Sequence, residues 1–220
     1  MDFNVTWNGP VAVATWNDGD NRINTDSLGA FNAILDEVVA TTGPRALVLT
    51  GAGKFFSNGL DLDRFANDPV EFDLTFRGLQ RLMGRLIVLP CYTVAAINGH
   101  AFAGGAMIAS AFDWRIMRAD RGFWCLNEVD IGIPVTDEMY AGVIAHLPMP
   151  TVAEALLTGK RFAGDEAVAA GIASDLASEE SLLEVAVERA AQMAEKDSKV
   201  FAIHKQHLYG QLAIRCGFDG

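Results

Sequence analysis

Two short glycine-bearing loops, each with an apolar run before it and a helix-like segment after it, constrain this chain more than any other feature. The first is Gly51-Ala-Gly-Lys-Phe-Phe-Ser-Asn-Gly-Leu-Asp-Leu-Asp63, which follows Ala46–Thr50. The second is Ala96-Ile-Asn-Gly-His-Ala-Phe-Ala-Gly-Gly-Ala106, which overlaps the end of Thr93–Ile97. A strand that ends in glycine turns sharply and leaves backbone N–H groups pointing into space. One such N–H from each loop can hold a single oxygen that gains negative charge during a reaction.

The rest of the chain repeats the alternation. Phe3, Val5 and Trp7, then Val11, Val13 and Thr15, alternate apolar and polar around Asn8-Gly9-Pro10 and predict a β-hairpin. After the turn cluster Asp18–Asn21, apolar residues at helical spacing predict a helix over 26–39, and a strand follows at 45–50. A long helix over 68–87 is bounded near Pro90. A strand at 93–98, a short apolar helix at 104–111 and strands at 114–118 and 122–126 complete this part. From about Thr136 the pattern is helical. The 179–195 segment carries Leu182, Leu183, Val185, Val187, Ala190 and Ala191 as its buried side, and the 199–214 segment offers Phe201, Ile203, His204 and Leu208 for packing. This is an α/β chain with a helical C-terminal region, undivided by any low-complexity linker.

Composition narrows the classes of function. Half of the 220 residues are hydrophobic and 20% are charged, which is globular rather than disordered. A net charge of −11 argues against a nucleic-acid partner, although local Arg, Lys or helix N-termini can still meet an anionic cofactor. No apolar run approaches a membrane span, and Met1-Asp-Phe-Asn lacks a signal-peptide pattern. Cys91, Cys125 and Cys216 have no metal spacing and read as buried reduced thiols. His204 and His207 are the one closely spaced histidine pair, without a companion ligand, so no metal is expected. The C-terminal Gly217-Phe218-Asp219-Gly220 does not match a peroxisomal address, and the expected location is cytoplasmic.

Four ordered pieces of the sequence resemble the crotonase (enoyl-CoA hydratase/isomerase) superfamily. They are Phe55-Phe56-Ser57-Asn58-Gly59-Leu60-Asp61-Leu62, Asn98-Gly99-His100-Ala101-Phe102-Ala103-Gly104-Gly105, Asn127-Glu128-Val129-Asp130-Ile131-Gly132-Ile133-Pro134, and Leu157-Thr158-Gly159-Lys160-Arg161-Phe162 with Glu166-Ala167 and Gly171-Ile172. The resemblance spans roughly residues 10–175. It implies a crotonase-like spiral of ββα units over residues 1–195, with 196–220 as a C-terminal helix serving oligomer contacts or covering the active site. It also implies a homotrimer or a dimer of trimers. The implied substrate is an acyl-CoA thioester, with coenzyme A as part of the substrate and no separate cofactor.

By the same resemblance, the backbone N–H groups of Leu60 and Gly104 form an oxyanion hole. Leu60, Asp61, Leu62 and Asp63 contact the coenzyme A arm, Arg22 meets a phosphate, and Asn127 turns a backbone group toward substrate. Lys205 resembles a C-terminal lysine that reaches the coenzyme phosphates in relatives. Hydratases of the family use two glutamates. The first position here is Met107, which has no usable proton, and the second is Glu128. One retained carboxylate resembles the Δ3,Δ2-enoyl-CoA isomerases, where a single group moves a proton from C2 to C4. A hydratase or thioesterase using Glu128 with water, and a non-catalytic acyl-CoA binder, are the alternatives. Asp130 and Glu138 are the neighbouring carboxylates, with Glu138 expected to face solvent or cap a helix. Phe72, Leu74, Phe76, Leu79, Leu82 and Met83 offer apolar surface for an acyl tunnel.

Overall fold

The computed structural model describes residues 3–66 and 68–220. The hairpin forms as expected: β1 (Phe3–Asn8) pairs antiparallel with β2 (Val11–Trp16). Helix α1 (Thr25–Ala40) starts at Asn24, whose side chain accepts from the Ser27 N–H while the Ser27 hydroxyl accepts from the Asn24 N–H. Strand β3 (Ala46–Gly51) runs into β4 (Phe55–Ser57), the single turn α2 (Leu62–Phe65) and the long helix α3 (Pro69–Ile87). Asp68 caps α3 by accepting from the N–H groups of Val70 and Glu71, and Pro69 suits its first turn.

The same step then recurs twice. Strand β5 (Tyr92–Ile97) leads to β6 (His100–Phe102) and α4 (Gly104–Ser110). Strand β7 (Trp114–Arg118) leads to β8 (Trp124–Cys125) and α5 (Glu128–Ile131). In each step the first strand joins a large sheet and the second joins a small one. The large sheet has the order β1-β2-β3-β5-β7-β9 and the small one β4-β6-β8. From β2 onward all pairs are parallel. This is the ββα spiral.

Helices α6 (Asp137–Val143), α7 (Met149–Thr158) and α8 (Gly164–Ala169), strand β9 (Asp175–Ala177), α9 (Leu182–Ala194) and α10 (Ser198–Arg215) complete the chain. Three findings correct the sequence reading. The predicted strand at 122–126 shortens to Trp124–Cys125. A three-residue strand, β9, interrupts the helical stretch because Ile116, Met117 and Arg118 offer an open parallel edge. On α9 the buried stripe is Leu182, Ala186, Ala190 and Ala194, and Leu183 faces outward. The small alanines at i, i+4 spacing let the helix lie close on the sheet.

Both faces of the large sheet are covered, as parallel sheets require. Val11, Val13, Ala46 and Val48 face α9, while Ala12, Ala14, Leu47 and Leu49 face the main core with α1 and α3. Helix α10 packs on α3 and α6, but most of the residues its sequence suggested face outward. Ile203, His204 and Leu208 are exposed and Phe201 is half-buried beside Tyr92, while the side chains turned inward include Ala213 and Lys205. Its Nζ donates to Asp113 at 2.9–3.0 Å and to the Leu86 carbonyl at 3.3 Å. Lys205 is therefore a buried tie to the core and cannot reach a ligand phosphate from this position. The Asp113 carboxylate also accepts from the N–H and hydroxyl of Thr93, each at 2.9 Å.

Burial alone would raise the Asp113 pKa, but Lys205 and then His146 more than offset it and hold the carboxyl below its usual range. A depressed folded-state pKa stabilises the fold above the unfolded carboxyl range, and the contribution is lost as pH falls through the folded value. Removing the cation leaves a buried carboxylate without its charge partner. Lys205→Met should therefore cost about 3 kcal/mol in a urea titration at pH 7. The deficit should shrink as pH falls into the acid range. A loss under about 1 kcal/mol would show that the pair does not hold α10.

Candidate active site

The two loops meet through backbone atoms. A Cβ built on Gly105 would fall 2.7 Å from the Ser57 Cβ and 2.8 Å from its Oγ, so only glycine lets α4 approach β4 this closely. A Cβ on Gly59 would lie 3.0 Å from the Phe102 carbonyl and 3.4 Å from the Gly104 nitrogen. The residue before one expected donor thus touches the other donor.

The direction of each N–H follows from the planarity of its peptide. The Gly59 carbonyl accepts from Ile23 N–H at 2.8 Å, and the Ile23 carbonyl accepts from Asp61 N–H at 3.0 Å. In a trans peptide the Leu60 N–H points opposite to the Gly59 carbonyl, away from Ile23. Likewise the Ala103 carbonyl accepts from Met107 N–H at 3.0 Å, which turns the Gly104 N–H away from the body of α4. Among the described residues neither N–H donates to a protein acceptor. Leu60 and Gly104 both line one cavity of about 170 Å3.

The rest of the wall is mostly apolar: Leu62, Phe76 and Leu79 from α2 and α3, Phe102, Ala103 and Met107 from β6 to α4, and Ile131, Ile133, Pro134 and Met139 from α5 to α6. Phe76 and Leu79 are the tunnel candidates that reach it. Leu82 and Met83 lie in the core, Leu74 faces outward, and Phe72 meets Phe65 edge-on and Phe76 at a tilt. Phe102 and the 131–139 residues were not singled out for the pocket from sequence. They come from β6, the end of α5, the loop after it and α6, so no single helical stripe marks them.

Glu128 is the carboxylate of the cavity. It begins α5, is 7% exposed, and its Oε2 has no hydrogen-bond partner among the described residues. Burial pushes its pKa up to about 7, partly countered by its own backbone N–H. Asn127 lies beside it with a buried Oδ1 that is also unpartnered. Met107 is fully buried in the same wall. Asp130 is exposed and outside the cavity, and Glu138 bonds its own backbone N–H and Thr136 at the start of α6, as a capping group does.

The remaining sequence candidates fall outside the cavity wall. Arg22 lies against three carboxylates, at 2.7 Å from Asp63, 3.4 Å from Asp20 and 3.7 Å from Asp61, so its guanidinium is engaged within the protein. Asp61 caps α2 and the Asp63 side chain stands in solvent. Among the described residues no cluster of three metal-ligating side chains occurs, and no helix is long and apolar enough to cross a membrane.

Comparison with known proteins finds relatives along nearly the whole chain. The sequence profile described as enoyl-CoA hydratase/isomerase matches residues 8–215. The chain is 35% identical over 203 residues to enoyl-CoA delta isomerase 3 of Arabidopsis thaliana, covering 88% of this chain and 85% of that one. It is 34% identical over 215 residues to the peroxisomal enoyl-CoA delta isomerase 2 of the same plant, covering 92% and 88%. A solved structure of a probable enoyl-CoA hydratase from Mycobacterium tuberculosis superposes with a TM-score of 0.90 at 27% identity, covering 98% of this chain and 91% of that one.

A carboxyl with a raised folded-state pKa binds its proton more tightly in the folded protein. Its stabilising contribution is present at low pH and is lost as pH rises through about 7. Glu128→Gln should therefore raise the melting temperature at pH 8.5, by the equivalent of up to about 3 kcal/mol, and change it little at pH 4. A gain of the same size at both pH values would show that Glu128 is not the buried titrating group.

Proposed function

This chain belongs to the enoyl-CoA hydratase/isomerase family, and we propose that within it the protein moves the double bond of a 3-enoyl-CoA to the trans-2 position. The observation that carries the proposal is a solitary buried carboxylate, Glu128, facing an apolar wall that includes Met107, in a cavity shared with two free backbone N–H groups. In this mechanism the thioester oxygen sits between the N–H groups of Leu60 and Gly104. Glu128 removes a proton from C2, and the electron pair delocalises onto the thioester oxygen as a dienolate. The two N–H groups hold that charge more strongly than the ground-state carbonyl, which is how they lower the barrier.

Glu128 then returns the proton to C4, and the double bond lies between C2 and C3. The C2–H bond broken is balanced by the C4–H bond formed, and no water enters the product. A pKa near 7 suits both halves, because the carboxylate accepts a proton and the acid releases it with little bias. Hydration asks more: water must be oriented and deprotonated while carbon is protonated. Met107 offers no second carboxylate for that work. The relatives named delta isomerases support the same reading. For assembly we propose a homotrimer, supported by the exposed apolar residues Val200, Ile203 and Leu208 on α10.

The test is conversion of trans-3-hexenoyl-CoA alongside hydration of crotonyl-CoA. Isomerisation should dominate, and Glu128→Gln should lower it by about 10²–10⁴. Hydration equal to or above isomerisation would overturn the proposal. Acyl-CoA binding without either activity would move the protein to the non-catalytic reading.

A further inference from the structure

Among the described residues only two that are not glycine have positive φ, Asn21 at 53° and Ala103 at 48°. Each belongs to the support of one backbone donor. Residues held in such conformations are retained where surrounding structure fixes them, and they cluster at functional sites. We infer that Asn21 and Ala103 are positioning residues that aim the Leu60 and Gly104 N–H groups, an inference that rests on the oxyanion-hole reading above.

Asn21 is fully buried, and nearly every polar group it has is spent on the first loop or on its own turn. Its Nδ2 donates to the carbonyls of Phe55 at 3.0 Å and Phe56 at 3.2 Å, the two residues that lead into the loop. Its own carbonyl accepts from the Ser57 hydroxyl at 2.7 Å, and the Ser57 Oγ accepts from the Gly59 N–H at 3.3 Å. The chain of bonds thus runs from Asn21 to the residue immediately before the Leu60 donor. Its Oδ1 accepts from Asp18 N–H at 2.8 Å and its N–H donates to the Asp18 carbonyl at 2.9 Å, which locks the left-handed turn itself. Two residues on, Ile23 fixes the Gly59 carbonyl. The 20–23 segment is therefore a strap over the donor loop, and Asn21 is its buried anchor.

Ala103 does the equivalent work from the other side. Its N–H donates to the Cys125 carbonyl at 2.9 Å and its carbonyl accepts from Met107, so the peptide on each side of Ala103 is held by one bond and the Gly104 N–H is left free. The backbone there, φ 48° and ψ −123°, suits glycine better than alanine. The methyl lies 3.1 Å from where a Cβ on Gly59 would stand, filling the gap between the two loops. Glycine at 103 would relieve the conformation and remove the brace.

The two variants separate aiming from mere stability. Asn21→Gly keeps the left-handed backbone and deletes the side-chain bonds. Ala103→Gly should leave the melting temperature unchanged or raised. With trans-3-hexenoyl-CoA, Asn21→Gly should lower kcat at least 10-fold and Ala103→Gly about fivefold, each with KM within about threefold. Donors that act on the dienolate affect kcat rather than ground-state binding. The midpoint of the kcat pH profile, set by Glu128, should not move. Asn21→Asp, which keeps the shape and the bond to Asp18 but replaces the Nδ2 donor, should match Asn21→Gly if Asn21→Gly folds poorly. Folded variants with kcat within twofold of the wild type would overturn the inference and leave the isomerase reading intact. A wild type that turns over no enoyl-CoA would overturn both.

Discussion

The contact between the 57–60 loop and the start of α4 is close because Gly59 and Gly105 carry no side chains, and the rest of the site is arranged around it. Gly105 against Ser57, and Gly59 against Phe102 and Gly104, bring two peptide planes to one cavity. Peptide planarity then does what a side chain would do less rigidly. Fixing a carbonyl on one side of the plane fixes the N–H on the other. Because these dipoles are set when the chain folds, they need no reorganisation when charge develops on a bound oxygen. The spiral serves this contact by carrying each ββα step from the large sheet to the small one, so that successive loops fall side by side.

Electrostatics complete the arrangement through absence as much as presence. The cavity wall holds one carboxylate and no cation, so burial outweighs the single backbone N–H that favours the ionised form of Glu128 and moves it toward neutrality. A charge-paired glutamate would be a poor base and a reluctant acid. Charged pairs lie elsewhere, among them Arg22 and Arg64 with carboxylates near the first loop and Lys205 with Asp113 under α10. The pairs brace the scaffold, while Glu128, the proposed base, has no charge partner.

Much of this was legible in the sequence because the strands and glycine loops are local signals. The hairpin, the strands at 46–51, 92–97 and 114–118, and the helices at 25–40, 69–87 and 104–110 lie within a residue or two of their predicted bounds. Leu60, Gly104, Met107 and Glu128 come together in the cavity. The spacing could not report which charges are already spent. Arg22 and Lys205 look free in a sequence, yet partners 41 and 92 residues away occupy them. Leu183, Ile203 and Leu208 show the other limit, since hydropathy marks an apolar residue without saying which side of its helix meets the core. Strand β9 has three residues, and only the open edge of β7 defines it.

The central claim is that one buried carboxylate carries the proton from C2 to C4 beneath two backbone donors. It is tested most directly by following the hydrogen itself. A 3-enoyl-CoA labelled with deuterium at C2 would be converted in ordinary water in a single turnover, and the product examined by mass spectrometry and NMR. The account predicts deuterium at C4 well above the solvent background, and its loss in Glu128→Gln together with activity. Product whose C4 hydrogen comes entirely from water, at full rate, would contradict it and require a second proton donor.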